Sequence, residues 1–243
     1  MGEQRTFDFE KKEVSITRDI RSTQHASGER IALSPSTLNI FRDCPRCFWQ
    51  HMNLRIQRPR GAFPSIASGL DDVIKNYFES YREKGILPPF LKGKIDGRLI
   101  PRLPKKLFYN DRLRNVLLWG MLDECLLLSN SVYAALDFKT RRSFPQDIHP
   151  SYQLQMDVYT LLLEKNNYKT NGISYLLYFV PTYGQLHEGI PFDIQIVEVK
   201  TSIQRALEIF HRAIEVLKGP IPGPLENCEY CSWLKEIKRN SDW

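Results

Sequence analysis

Between residues 68 and 81 the apolar positions Leu70, Val73, Ile74, Tyr77 and Phe78 recur at helical spacing, predicting an amphipathic helix. Upstream, LSPSTLNIF at 33–41 places serine caps before another apolar helical pattern, which runs directly into CPRCFW at 44–49. The stretch VLLWGMLDECLLLSNSVYAALDFKT at 116–140 reads instead as two β-rich runs split by Ser129-Asn130-Ser131, a hairpin with a three-residue loop. Pro150 and Ser151 then open a helix, YQLQMDVYTLLLEK, with Leu154, Val158, Leu161 and Leu162 as its buried stripe. On a neighbouring face of that helix Gln155 and Tyr159 stand one turn apart. ISYLLYFV and FDIQIVEV follow as strands, then a helix from about residue 202 to 218 and a cysteine-bearing tail. The proline-rich, basic segment 87–106 reads as a loop or lid. This order predicts an α/β fold, a mixed central sheet flanked by helices. Residues 1–30 read as a flexible or peripheral arm and 31–243 as a single domain, with 31–60 and 219–243 forming a cysteine-bearing lobe.

Side chains alternate across a strand, so in AALDFKT Asp137 and Lys139 share one face while Leu136 and Phe138 take the other. If Leu128 pairs with Val132 across the hairpin, counting outward sets Asp123 opposite Asp137, with Cβ atoms about 4.5–5.5 Å apart. Two carboxylates so close repel unless a cation lies between them. A one-residue slip would send them to opposite faces. Hard oxygen ligands of this kind hold Mg²⁺ or Mn²⁺ while leaving coordination positions for water and substrate, as phosphodiester hydrolysis requires. Asp123 and Asp137 fit as metal ligands, the Phe138 carbonyl as a further one, and Lys139 as a fixed positive charge beside the phosphate. Taken alone, DFK reads first as a strand-end ion pair; the aligned GMLD segment reverses that preference in favour of chemistry.

The 243 residues are 42% hydrophobic and 26% charged, an ordinary globular composition. No apolar run approaches the roughly 20 residues of a membrane span, and the N-terminus is too polar for a secretory signal, so a cytoplasmic chain is expected. The net charge of +6 is unevenly spread: eight basic residues against Asp96 and Asp111 lie between 91 and 114, and Arg55, Arg58 and Arg60 form a second cluster. Such clusters are either solvated surface or a phosphate-tracking groove. Four of the five cysteines form two C-x-x-C pairs at opposite ends of the chain, Cys44 with Cys47 and Cys228 with Cys231. In a reducing compartment four thiolates point to an iron–sulfur cluster or Zn²⁺, and spacing does not choose between them. No G-x-x-x-x-G-K-[ST] loop is present, so an ATP motor is excluded from this chain.

In that order, SPSTLNIFRDCPRCFW, SGLDDVIKNYFE, GMLD, DFK and QMDVY resemble the RecB-like branch of the PD-(D/E)xK nucleases, which includes the CRISPR-associated iron–sulfur exonucleases. The resemblance implies a restriction-endonuclease-like fold whose N- and C-terminal segments are joined by a four-cysteine metal site. It implies metal-dependent DNA hydrolysis, in DNA end processing or single-strand exonuclease action. Asp123 and Asp137 would hold Mg²⁺ or Mn²⁺, Lys139 would be the catalytic lysine, and Gln155 and Tyr159 would orient the strand or the active-site groups. The family often carries a metal-binding histidine on the glycine-led helix; this chain has none there, and Asp71 is the expected substitute. Cys44, Cys47, Cys228 and Cys231 would hold a [4Fe–4S] cluster, with structural Zn²⁺ as the alternative. Relatives commonly draw one cysteine from the first helix and three from the tail, where this chain offers two and two. DNA, single-stranded or with single-stranded ends, is the implied partner, with a helicase or CRISPR-adaptation protein as a possible supplier. A catalytically silent nucleic-acid-binding or assembly module of the same fold is the competing expectation.

Overall fold

The computed structural model describes residues 30–59, 65–102, 104, 106–185, 187 and 189–240; the arm expected over 1–30 lies almost wholly outside them. A short strand, β1 (Ile31–Leu33), leads to α1 (Pro35–Asp43) and α2 (Pro45–Asn53). Ser34 caps α1 with a reciprocal capping box to Thr37, and Pro35 takes the first helical position, where its missing N–H costs nothing. Cys44 is at once the C-cap of α1 and the N-cap of α2, and Pro45 starts the second helix, so the CPRC motif is a helix break.

The helix α3 (Ser65–Arg82) buries Ile74 and Phe78 but leaves Val73 and Tyr77 exposed, so its apolar stripe is wider than the face it packs. Within 87–106, expected as a loop or lid, a 3₁₀ turn (Pro89–Leu91) precedes β2 (Gly97–Leu99). Leu91, Ile95 and Leu99 are buried beneath α3, and a three-residue strand among prolines and lysines is too short to show a period.

Next come β3 (Leu107–Asp111), β4 (Val116–Gly120), β5 (Glu124–Leu128) and β6 (Tyr133–Thr140). The first β-rich run is therefore two strands in different sheets: β4 pairs with β1 in parallel and with β3 antiparallel, whereas β5 pairs with β2 and β6. The expected hairpin is β5–β6, closed by Leu128 N–H donating to Val132 O at 2.9 Å, with Ser131 at φ +62° in its three-residue loop. After α4 (Pro150–Lys165) come β7 (Ile173–Pro181), β8 (Phe192–Lys200), α5 (Ile203–Lys218) and α6 (Glu229–Asn240). The larger sheet runs β2-β5-β6-β7-β8, with β6 and β7 parallel and the other neighbours antiparallel, so both sheets are mixed.

The helix α4 crosses between the parallel strands and packs on β6 and β7, on β3 and β4 of the smaller sheet, and on α1 and α5. That enclosure explains why every residue from Met156 to Leu163 is buried rather than one stripe of four. Gly120 permits the approach, since a Cβ there would lie 2.8 Å from Leu162 Cδ1 and 3.1 Å from Tyr159 Cε1. Asp157, 1% exposed, locks α4 to α5 by accepting two bonds from Arg205, at 2.6 and 2.7 Å, and one from Ser202 N–H at 2.9 Å. A second apolar layer, under α3, meets the opposite face of the large sheet, where the Phe78 and Phe138 rings lie 4.4 Å apart.

Candidate active site and cysteine cluster

The β5–β6 ladder pairs Glu124 with Leu136 and Cys125 with Ala135, the register that carries Asp123 opposite Asp137 one step beyond the last pair. Ala135 packs in the α4 layer and Leu136 and Phe138 in the α3 layer, so alternation sets Asp137 and Lys139 toward α4. There, Gln155 links the polar groups into one chain. Its Nε2 donates to Asp137 Oδ1 at 3.0 Å and to the Tyr159 hydroxyl at 2.9 Å, and its Oε1 accepts from Lys139 Nζ at 3.0 Å. The i and i+4 positions of Gln155 and Tyr159 make that double donation possible from a single helix face. Lys139 also forms an ion pair with Asp137 Oδ2 and stacks over the Tyr152 ring, 4.7 Å from its centroid.

Asp123 arrives from the segment before β5. Its Oδ2 accepts from Phe138 N–H at 3.0 Å, replacing the ladder bond that β5 has ended too soon to make. Backbone N–H and C=O of one strand residue leave on the same edge, so the Phe138 carbonyl opens toward Asp123 as well. Asp137 is 2% exposed, and burial pushes its carboxyl up to about 7 despite the Lys139 ammonium; the neighbouring Asp123 carboxyl pushes the same way. Burial also raises the Tyr159 hydroxyl above its ordinary value, with the Asp137 charge adding to the effect. Tyr178, aligned with Lys139 in the β6–β7 ladder, is fully buried and its hydroxyl finds no hydrogen-bond partner among the described residues.

Asp123, Asp137, Lys139, Gln155 and Tyr159 thus converge, drawn from β6, α4 and the segment before β5. Asp71 reaches this group through an intermediary: Lys75 Nζ sits 2.6 Å from Asp71 Oδ2 and 3.5 Å from Asp123 Oδ1. Sequence reading missed Lys75. Its i,i+4 spacing from Asp71 was visible, but its reach to Asp123 depends on how α3 lies against the sheet. On the α3 side, Glu124 is 1% exposed and burial pushes it up to about 7, although Arg82 donates to it at 2.7 Å.

The four paired cysteines are brought together. Among the described residues they form the one group of three or more candidate ligands whose donor atoms lie within 4.8 Å of one another, an arrangement that can hold a metal ion. Cys44 Sγ stands 3.7 Å from Cys231 Sγ, and Cys47 Sγ 3.6 Å from Cys228 Sγ. Burial pushes Cys47 up to about 12. Cys228 settles near 7, because hydrogen bonds from the Cys231 backbone and the neighbouring thiols outweigh its burial. Arg58 lies 4.8 Å over the Tyr230 ring, approaches Asp43 at 3.7 Å and lines one cavity with Cys47, so this member of the second basic cluster belongs to the cysteine lobe. Cys125 is buried in the main core, away from the other four. In the first basic cluster Arg114 pairs with Asp111 at 2.9 Å and Lys106 lies 5.1 Å over the Trp119 ring.

No helix among the described residues is long and apolar enough to cross a membrane. No family model matches the chain, and no curated protein matches it. A solved structure described as "Crystal structure of SSO0001" is similar at 14% identity and a TM-score of 0.46, with 88% of this chain and 87% of that chain covered.

Proposed function

We propose that this chain is a metal-dependent DNA nuclease of the RecB-like PD-(D/E)xK type, with a restriction-endonuclease-like fold. The observation that carries the reading is the convergence of Asp123 and Asp137 from adjoining chain segments with Lys139, Gln155 and Tyr159 on one face of β6 and α4. The donors suit a hard divalent ion. Among the described residues Asp137 Oδ2 is buried with no hydrogen-bond partner beyond the Lys139 ion pair, and Asp123 Oδ1 faces an ammonium 3.5 Å away rather than a hydrogen-bond donor at full contact. Asp123, Asp137 and the Phe138 carbonyl would hold Mg²⁺ or Mn²⁺, which when bound acidifies water and neutralises charge on the scissile phosphate.

The chain's own residues do the rest. Gln155 fixes Asp137 and Lys139 relative to each other, so that neither needs to reorganise when substrate arrives. Phe138 N–H holds one oxygen of Asp123 and leaves the other for an ion. Lys139, with its ammonium on the Tyr152 face, supplies a positive charge for the phosphate and positions the attacking water. DNA held through backbone phosphates gives little sequence preference and strong salt dependence. The four cysteines would carry a [4Fe–4S] cluster, or Zn²⁺, as a clasp between the ends of the chain.

Wild type, Asp137→Ala and Lys139→Ala, assayed with Mn²⁺ on labelled single- and double-stranded DNA, test the reading. Each variant is expected to lose about 100-fold or more of the wild-type rate. Equal rates in all three would discard the assigned roles, and retention of DNA without any cleavage would leave a binding module in their place.

A further inference from the structure

Three carboxylates and two ammonium groups meet in the acidic site, and the two lysines are held differently. Lys139 is 16% exposed, bonded to Gln155 Oε1, paired with Asp137 and stacked on Tyr152. Lys75 is 45% exposed, and the partners of its ammonium are Asp71 and Asp123, both expected ligands of the metal. An ordinary i,i+4 surface pair accounts for its 2.6 Å contact with Asp71 but not for its reach to Asp123, on a different part of the chain.

The atom it faces matters. Asp123 Oδ2 is taken by Phe138 N–H at 3.0 Å, so Oδ1 is the oxygen left for a cation, and Lys75 stands 3.5 Å from it. We infer that Lys75 is a resident cation of this site: its ammonium balances Asp71 and Asp123 in the metal-free protein and must give way before a divalent ion can use them. The inference rests on the nuclease reading above. An ammonium on a four-carbon stem, nearly half exposed, turns out to solvent at little cost, whereas Lys139 is fixed by three partners and stays. A divalent ion and an ammonium a few ångströms apart repel, so Lys75 lowers the metal affinity of the site and sets the metal concentration at which it fills. Once Lys75 has turned away, Asp71 is free to serve as the ligand from α3.

The test is Mn²⁺ binding to the full chain without DNA, read from the free Mn²⁺ signal in electron paramagnetic resonance. Lys75→Gln is expected to bind Mn²⁺ about 10-fold more tightly than wild type. Lys75→Arg, which keeps the charge, is expected to bind like wild type, and Asp137→Ala is expected to lose the site. Unchanged or weaker affinity in Lys75→Gln, with wild-type thermal unfolding showing an intact fold, overturns the role of Lys75 and leaves the nuclease reading standing. Tightening in Lys75→Arg equal to that in Lys75→Gln also overturns it, because charge would then not be the cause. Wild-type Mn²⁺ binding in Asp137→Ala would overturn the nuclease reading and the inference together.

Discussion

The acidic face of β6 and the cysteine cluster both gather ligand-type side chains from distant parts of the chain, and they meet the electrostatic cost in opposite ways. At the cluster, burial holds Cys47 near 12, so this thiol packs as a small apolar group without charge. A neutral Cys47 lets its sulfur sit 3.6 Å from that of Cys228, whose thiol is lowered to about 7. At the acidic face the charge is met by ammonium groups: Asp137, pushed up to about 7 by burial, is paired with Lys139, and Lys75 faces Asp123 and Asp71. The cysteine group is thus gathered by packing, whereas the carboxyl groups are gathered around two ammonium groups.

The largest expected effect lies at the cluster. Cys228→Ser removes the thiol lowered to about 7 from the proposed clasp between residues 47 and 228, 181 positions apart. Loss of a cross-link over so long a loop costs on the order of 4 kcal/mol, seen as a fall in Tm together with loss of bound iron or zinc. An unchanged Tm would show that the cluster is not a clasp.

The acidic site should respond with the opposite sign. Asp137 has a folded pKa near 7 against an ordinary value of 3.8, so in between the folded chain holds a proton that the unfolded chain has released. The resulting penalty is full above pH 7, shrinks as pH falls and is gone below about 3.8. Asp137→Asn, a neutral mimic whose carbonyl can still accept from Gln155, is therefore expected to raise the Tm of the divalent-free protein by a few degrees at pH 8 and by nothing near pH 4. Destabilisation at pH 8 would mean that the Lys139 pair outweighs the burial of Asp137, and the contrast between the two sites would fail.

Much of the site was legible because its signals are local. The three-residue loop after Leu128 sets the hairpin register, and the register alone carries Asp123 to Asp137. Helical spacing likewise joins Gln155 to Tyr159. What was not legible depends on how separate elements pack. The run from Val116 to Leu128 looks continuous in sequence, yet Met121–Asp123 is the turn between two sheets, and nothing local marks it as such. Lys75 resembles any surface lysine until α3 is laid on the sheet, and Val73 and Tyr77 look like core until the face of α3 proves narrower than its stripe. The four-cysteine site was readable as a pairing of chain ends, but the contribution of Arg58 to it was not, since a basic run usually signals solvent.

Locating the bound ion tests the central claim most directly. Crystals of the wild-type chain soaked in Mn²⁺ and measured at the manganese edge should give an anomalous peak bounded by Asp123, Asp137 and the Phe138 carbonyl, with Lys75 displaced from Asp123. Carboxyl groups still held by both lysines, with no manganese peak between them, would contradict the account.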